Sequence, residues 1–306
     1  MANISIGDAI GAGFGLIRAR PVSVLAWGLA RVALSVGMLS SMAPFYVQVL
    51  RDAATRTAGG VATPPDFSSM MAMQGLSWLF SLLGVMVGAI LYCAVWRGVL
   101  HPEQKAYAYL RIGAPEVFVF LLNFGLGIAV FIGVLILAIP IAIVAGVAFA
   151  THAAAVGVLV AILGGLAVLC LMVWLFCRLA LVGPMMVDDG KFHLTDAWAL
   201  TKGHAGTILA IALLLFVVLM ILVSVIGLIA VAVGVGFVGQ AAGGLTNIQA
   251  FFQQPANQIL AALGPALIVY GLAAIPVSGG LLAIMFAPWA KVYRDLAPPD
   301  VAATFA

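Results

Sequence analysis

What most constrains this chain is a succession of six apolar runs, at about 22–46, 76–96, 116–145, 154–176, 207–239 and 259–287. Each meets or exceeds the roughly 20 residues that carry an α-helix through a bilayer. In hydrocarbon every backbone N–H and C=O needs an internal partner, so runs of this length are read as helices. Only 8% of the residues are charged and 65% are hydrophobic, with a mean hydropathy of +1.25. That leaves too little polarity for a water-soluble surface, since soluble domains carry roughly 25% charged residues. The expected fold is therefore all-α, a polytopic helical membrane protein with six transmembrane helices in a single integral membrane domain, 1–306. Runs three, five and six exceed the minimum, and Pro140, Pro265 and Pro276 are the expected kinks. A broken or re-entrant helix is the alternative for run five, interrupted by Gly227, Gly234, Gly236 and Gly239, and for run six with its two prolines.

Orientation follows from the basic residues, which short cytoplasmic flanks retain. Arg18 and Arg20, then Arg97, Lys105 and Arg111, then Arg178, Lys191 and Lys202, and finally Lys291 and Arg294 fall on one side. Arg51 and Arg56 fall on the other, where 151–153 and 240–258 carry no charge. Both termini are expected in the cytoplasm. The N-terminal residues lack the order of a signal peptide and are expected to stay on the mature protein. A net charge of +3 is too small to cover a phosphate backbone, so nucleic acid is excluded as a partner.

Short amphipathic segments precede the odd-numbered runs. Ile6, Ile10, Phe14 and Ile17 recur at helical spacing after Ser5 and Asp8, which resemble a capping box, so 5–19 reads as an interfacial helix turning into the first span at Pro21. Tyr107 and Arg111 share a face in the segment before Gly113. Leu194 and Trp198 lie one turn apart in a segment that Thr195 caps and Gly203 closes. Each even run ends at an arginine followed by a proline: Arg97 and Pro102, Arg178 and Pro184, Arg294 and Pro298. Two readings stand side by side: a threefold repeat of interfacial helix plus helical hairpin, or the common look of any hairpin with positive-inside flanks.

The segment RLALVGPMMVDDG at 178–190, with LTDAWALTKG at 194–203, resembles the membrane domain attached to some bacterial glycerophosphodiester phosphodiesterases and related stand-alone six-helix inner-membrane proteins. In that pattern a helix ends at an arginine, a proline and an acidic-glycine pair follow, and a tryptophan precedes Leu-Thr-Lys-Gly. Here these are Arg178, Pro184, Asp189-Gly190, Trp198 and 200–203; Asp196-Ala197 stands where an arginine-serine pair is usual. The specific match covers about 26 residues, and the remainder agrees only as six hydrophobic spans. The resemblance implies a bacterial inner-membrane location and a six-helix fold. It implies no chemistry, because the catalytic part of those enzymes is a separate soluble barrel that no stretch here can form.

The residues point the same way. Asp188, Asp189, His193, Asp196 and His204 are the one cluster with metal-site character, and a solvated acidic loop is the simpler reading. His101 with Glu103 and the isolated His152 offer no more. Cys93, Cys170 and Cys177 lie in apolar stretches without metal or disulfide spacing. No Gly-x-Ser-x-Gly occurs, Gly11-Ala-Gly13-Phe-Gly15 is an incomplete nucleotide fingerprint, and Gly84 and Gly88 form a helix-packing GxxxG. No cofactor or metal is expected. Arg31 is the sole basic residue inside a span, placed either near mid-membrane or snorkelling to the inner surface. The expected function is non-catalytic, through lipid or protein contacts of the cytoplasmic segments, with Arg97, Arg178, Trp198, Lys202 and Arg294 as contact residues. Membrane lipids, a membrane-protein partner or a second copy are the expected partners. A transporter or flippase for an apolar or amphiphilic substrate, with Arg31 as the headgroup contact, is the alternative. The loops at 51–75 and 240–258 are expected to be connectors.

Overall fold

The computed structural model describes residues 5–57, 67–104, 106–192 and 194–297, and among them it contains helices and no strand. The six long helices are α2 (Pro21–Thr57), α3 (Phe67–Leu100), α4 (Ala114–Ala150), α5 (Ala154–Leu179), α8 (Ala205–Ala241) and α10 (Ala256–Leu296). Between or before them lie α1 (Ile6–Ala19), α6 (Val182–Asp189), α7 (Leu194–Leu200) and α9 (Ile248–Phe252). All six long helices have the length and composition to cross a membrane, and the protein is an all-α polytopic membrane protein. Each contains one of the apolar runs and extends beyond it. Helices α8 and α10 are continuous, so the glycines of run five and the prolines of run six break neither, and α4 likewise runs through Pro140.

The chain groups into two compact units, each drawn from several stretches of sequence: Leu16–Val87 with Leu215–Met285, and Met1–Gly15 with Gly88–Leu214 and Phe286–Ala306. Helices α1, α3, α8 and α10 contribute residues to both.

In the first of these units α2 and α10 cross at two glycines. A Cβ on Gly28 would overlap the carbonyl of Ile275, and one on Gly279 would overlap the carbonyl of Val24, so the two backbones touch. Small residues permit such an approach, and close backbone packing is what holds helices together where lipid offers no hydrophobic drive. Ser278 Oγ lies 3.3 Å from the Gly28 carbonyl and 3.2 Å from that of Ile275, donating where the helices meet. The 240–258 connection is folded rather than extended. A short 3-10 turn and α9 bury Phe251 and Ile259 against Ala241, Ala242 and Leu263, and α9 packs on α2. Arg51 and Arg56, expected in a loop, lie in the last turns of α2; Pro64, Pro65 and Asp66 fall outside the described residues.

In the other unit α4 and α5 form an antiparallel hairpin, with Gly157 against the Ala145 carbonyl and Gly164 against Ile141. Helix α6 continues the path of α5 along α4 after a turn at 180–181. Pro184 sits in the first turn of α6, where its missing N–H costs no intrahelical bond. Ala89, Cys93, Trp96, Val119, Val182, Met186, Val187, Ala197 and Ala290 form the core. Trp96 is its centre: its Nε1–H donates to the Phe286 carbonyl at 3.0 Å, and Gly183 leaves no room for a Cβ beside the ring. Replacing Trp96 by Phe removes that bond, while the carbonyl keeps the N–H of its own helix. The expected loss is about 0.5–1.5 kcal/mol, read as a lowered melting temperature in detergent.

Helix α1 starts as its sequence suggests, with Asp8 N–H on Ser5 Oγ at 3.3 Å. Its inward stripe is Ala9, Ile10, Gly13 and Leu16; Phe14, grouped with that face by spacing, is exposed.

Candidate functional site

The basic residues at the ends of the even spans were expected to act alike, and the structure separates them. Arg97, in the last turn of α3, points inward and is buried. Its Nη2 pairs with Glu116 Oε1, and its Nη1 donates to the Tyr109 carbonyl at 2.8 Å. Glu116 uses its other oxygen to accept the Gly113 N–H at 2.9 Å, which caps α4. Two buried charges are tolerable because each is paired and further hydrogen bonded. The segment from 101 to 113 closes over this pair. Tyr107, Ala108 and Tyr109 take φ of 51°, 56° and 64°, a left-handed turn where a right-handed amphipathic helix was expected. Each such residue costs roughly 1–2 kcal/mol. Tyr109 offsets part of this by full burial, with its hydroxyl donating to the Pro102 carbonyl at 3.1 Å. The turn carries Tyr107 outward, 86% exposed, and Arg111 outward to Gln104 Oε1 at 3.3 Å, so the two do not share a helical face.

Arg178, at the end of α5, has a different setting. Its guanidinium carbon lies 5.8 Å from the Trp174 ring centroid and 5.5 Å from that of Trp198, and the two indoles meet edge to face at 5.1 Å. Both rings are partly exposed. The Arg178 Nε and Nη1 are covered and have no hydrogen-bond partner among the described residues. Thr201, fully buried, lies with Oγ1 3.3 Å from the Arg178 carbonyl and so joins the end of α7 to the end of α5. Gly203, at φ 87°, closes that segment and leaves Lys202 exposed. Thr195 lies inside α7 rather than capping it.

The remaining expected residues are spread out. Arg294 is exposed and its Nη1 donates to the Val99 carbonyl at 3.4 Å. Arg31 is exposed on α2 and lines neither of two apolar cavities, one of about 400 Å³ walled by Trp96, Leu126, Phe176 and Trp289, the other of about 380 Å³ walled by Ile229, Tyr270 and Ala273. Among the described residues the acidic loop does not gather into a metal-binding group. Asp188 accepts from the Tyr293 hydroxyl at 2.9 Å, while Asp189 accepts the Lys191 N–H at 3.1 Å as Gly190, at φ 72°, ends α6. Among the described residues no three of His, Cys, Asp or Glu could hold a metal ion; His193 and Lys105 lie outside them.

No family model, no curated protein and no solved structure matches this chain. The geometry is thus the source for the site. Among the described residues it offers a guanidinium without a hydrogen-bond partner set against a pair of indoles, with an exposed lysine next to the threonine that binds the Arg178 carbonyl.

Two further groupings escaped the sequence. Trp174 stands one helical turn before Arg178, a spacing at which side chains meet, so a signal was present. His101 has Nε2 3.2 Å from Asp188 and Nδ1 3.6 Å from Glu103, joining the end of α3 to α6, while Tyr293 reaches the same Asp188 from α10. His101 and Glu103 are neighbours in sequence, but Asp188 and Tyr293 are too far from them and from each other for any local pattern to bring them together.

Proposed function

We propose that this is a non-catalytic multi-pass protein of a bacterial inner membrane, with both termini in the cytoplasm, that acts through lipid or protein contacts at its cytoplasmic face. The observation that carries this reading is Arg178, set against the paired Trp174 and Trp198 rings with covered nitrogens that have no internal acceptor among the described residues. A cation set against indoles suits the membrane interface, where one side of a residue meets hydrocarbon and the other meets polar groups. Arg97 leaves the set of contact residues, since its hydrogen bonds are spent on Glu116 and Tyr109. It serves instead to hold the segment that carries Tyr107 to the surface. The resemblance of 178–203 to the membrane domain of the phosphodiesterases supports the inner-membrane location.

Native mass spectrometry after gentle extraction tests it. Wild-type protein is expected to retain a lipid or a defined protein partner, and Arg178→Gln to retain less. A chain that carries neither, or whose complement is unchanged by the substitution, would overturn the proposal.

A further inference from the structure

We infer that Arg178, assisted by Lys202, receives the phosphate group of an anionic phospholipid. This rests on the reading of the cytoplasmic face as a contact surface and names its ligand.

Four described cations of this unit already have side-chain or carbonyl partners. Arg97 has Glu116, Lys291 has Asp295 four residues on, Arg111 has the Gln104 amide and Arg294 has the Val99 carbonyl. Arg178 has neither acid nor carbonyl among the described residues. The adjacent indoles supply no hydrogen-bond acceptor oxygen. Cation–π contact stabilises the guanidinium but leaves its in-plane donors unused. An oxygen anion approaching the guanidinium edge completes the set, and phosphate suits this donor geometry.

The surroundings select the source of that phosphate. Along α5, Leu171, Trp174 and Arg178 share one face, and Leu171 and Trp174 are exposed by 43% and 45%. A ligand whose phosphate meets Arg178 can thus lay hydrocarbon along an apolar ridge that descends into the span. Lys202, exposed on the turn tied to Arg178 through Thr201, adds a second positive charge at the headgroup end. A free phosphate has no use for the ridge, and a zwitterionic headgroup gains less from two cations than an anionic one does.

The test uses the full chain in mild detergent, with dioleoyl phosphatidylglycerol, dioleoyl phosphatidylcholine or inorganic phosphate added and bound species counted by native mass spectrometry. Wild-type protein is expected to hold phosphatidylglycerol about tenfold more tightly than phosphatidylcholine, a factor equal to about 1.4 kcal/mol. Arg178→Gln should abolish that preference, and millimolar phosphate should not displace the lipid. Should Arg178→Gln lower the melting temperature, the exposed Lys202→Gln carries the test, with a roughly fivefold reduction expected. Equal retention of both lipids, or a preference untouched by either substitution, overturns the inference while leaving a non-selective lipid contact intact. Displacement by free phosphate overturns the lipid assignment. Absence of any bound lipid overturns the inference, and absence of both bound lipid and a protein partner removes the broader reading as well.

Discussion

Replacing Gly279 by valine unseats α10 from α2 and depletes folded protein from detergent extracts. The Cβ alone would overlap the Val24 carbonyl, and the facing Gly28 has the same relation to Ile275, so neither backbone has space to yield. Overpacking a core ordinarily costs about 1–3 kcal/mol because side chains move aside. Here the obstacle is main chain, and the loss should exceed that range. Gly271, in the same helix, has nothing within 4 Å of its Cβ position. Gly271→Ala should therefore be neutral or slightly stabilising, since alanine is the better helix former by about 1 kcal/mol. Size-exclusion profiles and melting temperatures of the two variants decide the matter. Equal behaviour would refute the close crossing.

The second large effect is expected from Glu116→Gln. It leaves the Arg97 guanidinium buried without its counter-charge, at a cost of about 3–5 kcal/mol. The double variant Arg97→Met, Glu116→Leu should recover most of that loss in the melting temperature, because it removes the uncompensated charge along with the pair. A double variant as unstable as the single one would mean that the Tyr109 and Gly113 contacts, not the charges, dominate. Either variant should also loosen the left-handed turn at 107–109, which closes over the pair.

What was legible in the sequence follows from how local each signal is. The six spans read directly, because apolar length is a local property and the bilayer imposes it. Gly203 reads as the end of its segment, and Ser5 as the start of α1. The turn at 107–109 did not read, because three consecutive non-glycine residues at positive φ have no local signature and persist only where burial of Tyr109 and the bond from Arg97 hold them. The inward orientation of Arg97 was hidden for a related reason. An arginine at the end of a span looks the same whether it faces headgroups or an acid nineteen residues on. Trp198 was recognised and Trp174 was not, although the two act together on Arg178.

The length of α4 has a consequence for where in a membrane such a protein resides comfortably. Its 37 residues extend about 55 Å, against about 30 Å of hydrocarbon. A tilt of nearly 60° would be needed to fit it by inclination alone, well past the roughly 40° that spanning helices reach. At that limit α4 still projects about 42 Å along the bilayer normal, some 12 Å more than the surrounding acyl chains cover. Exposed apolar residues continue to the last turns of α4, where Val144, Val147 and Phe149 are exposed, so the excess is apolar surface. Lipids with longer chains shorten the uncovered stretch and those with shorter chains lengthen it, so acyl-chain length acts on this protein independently of headgroup charge and favours its sorting into thicker regions of the membrane.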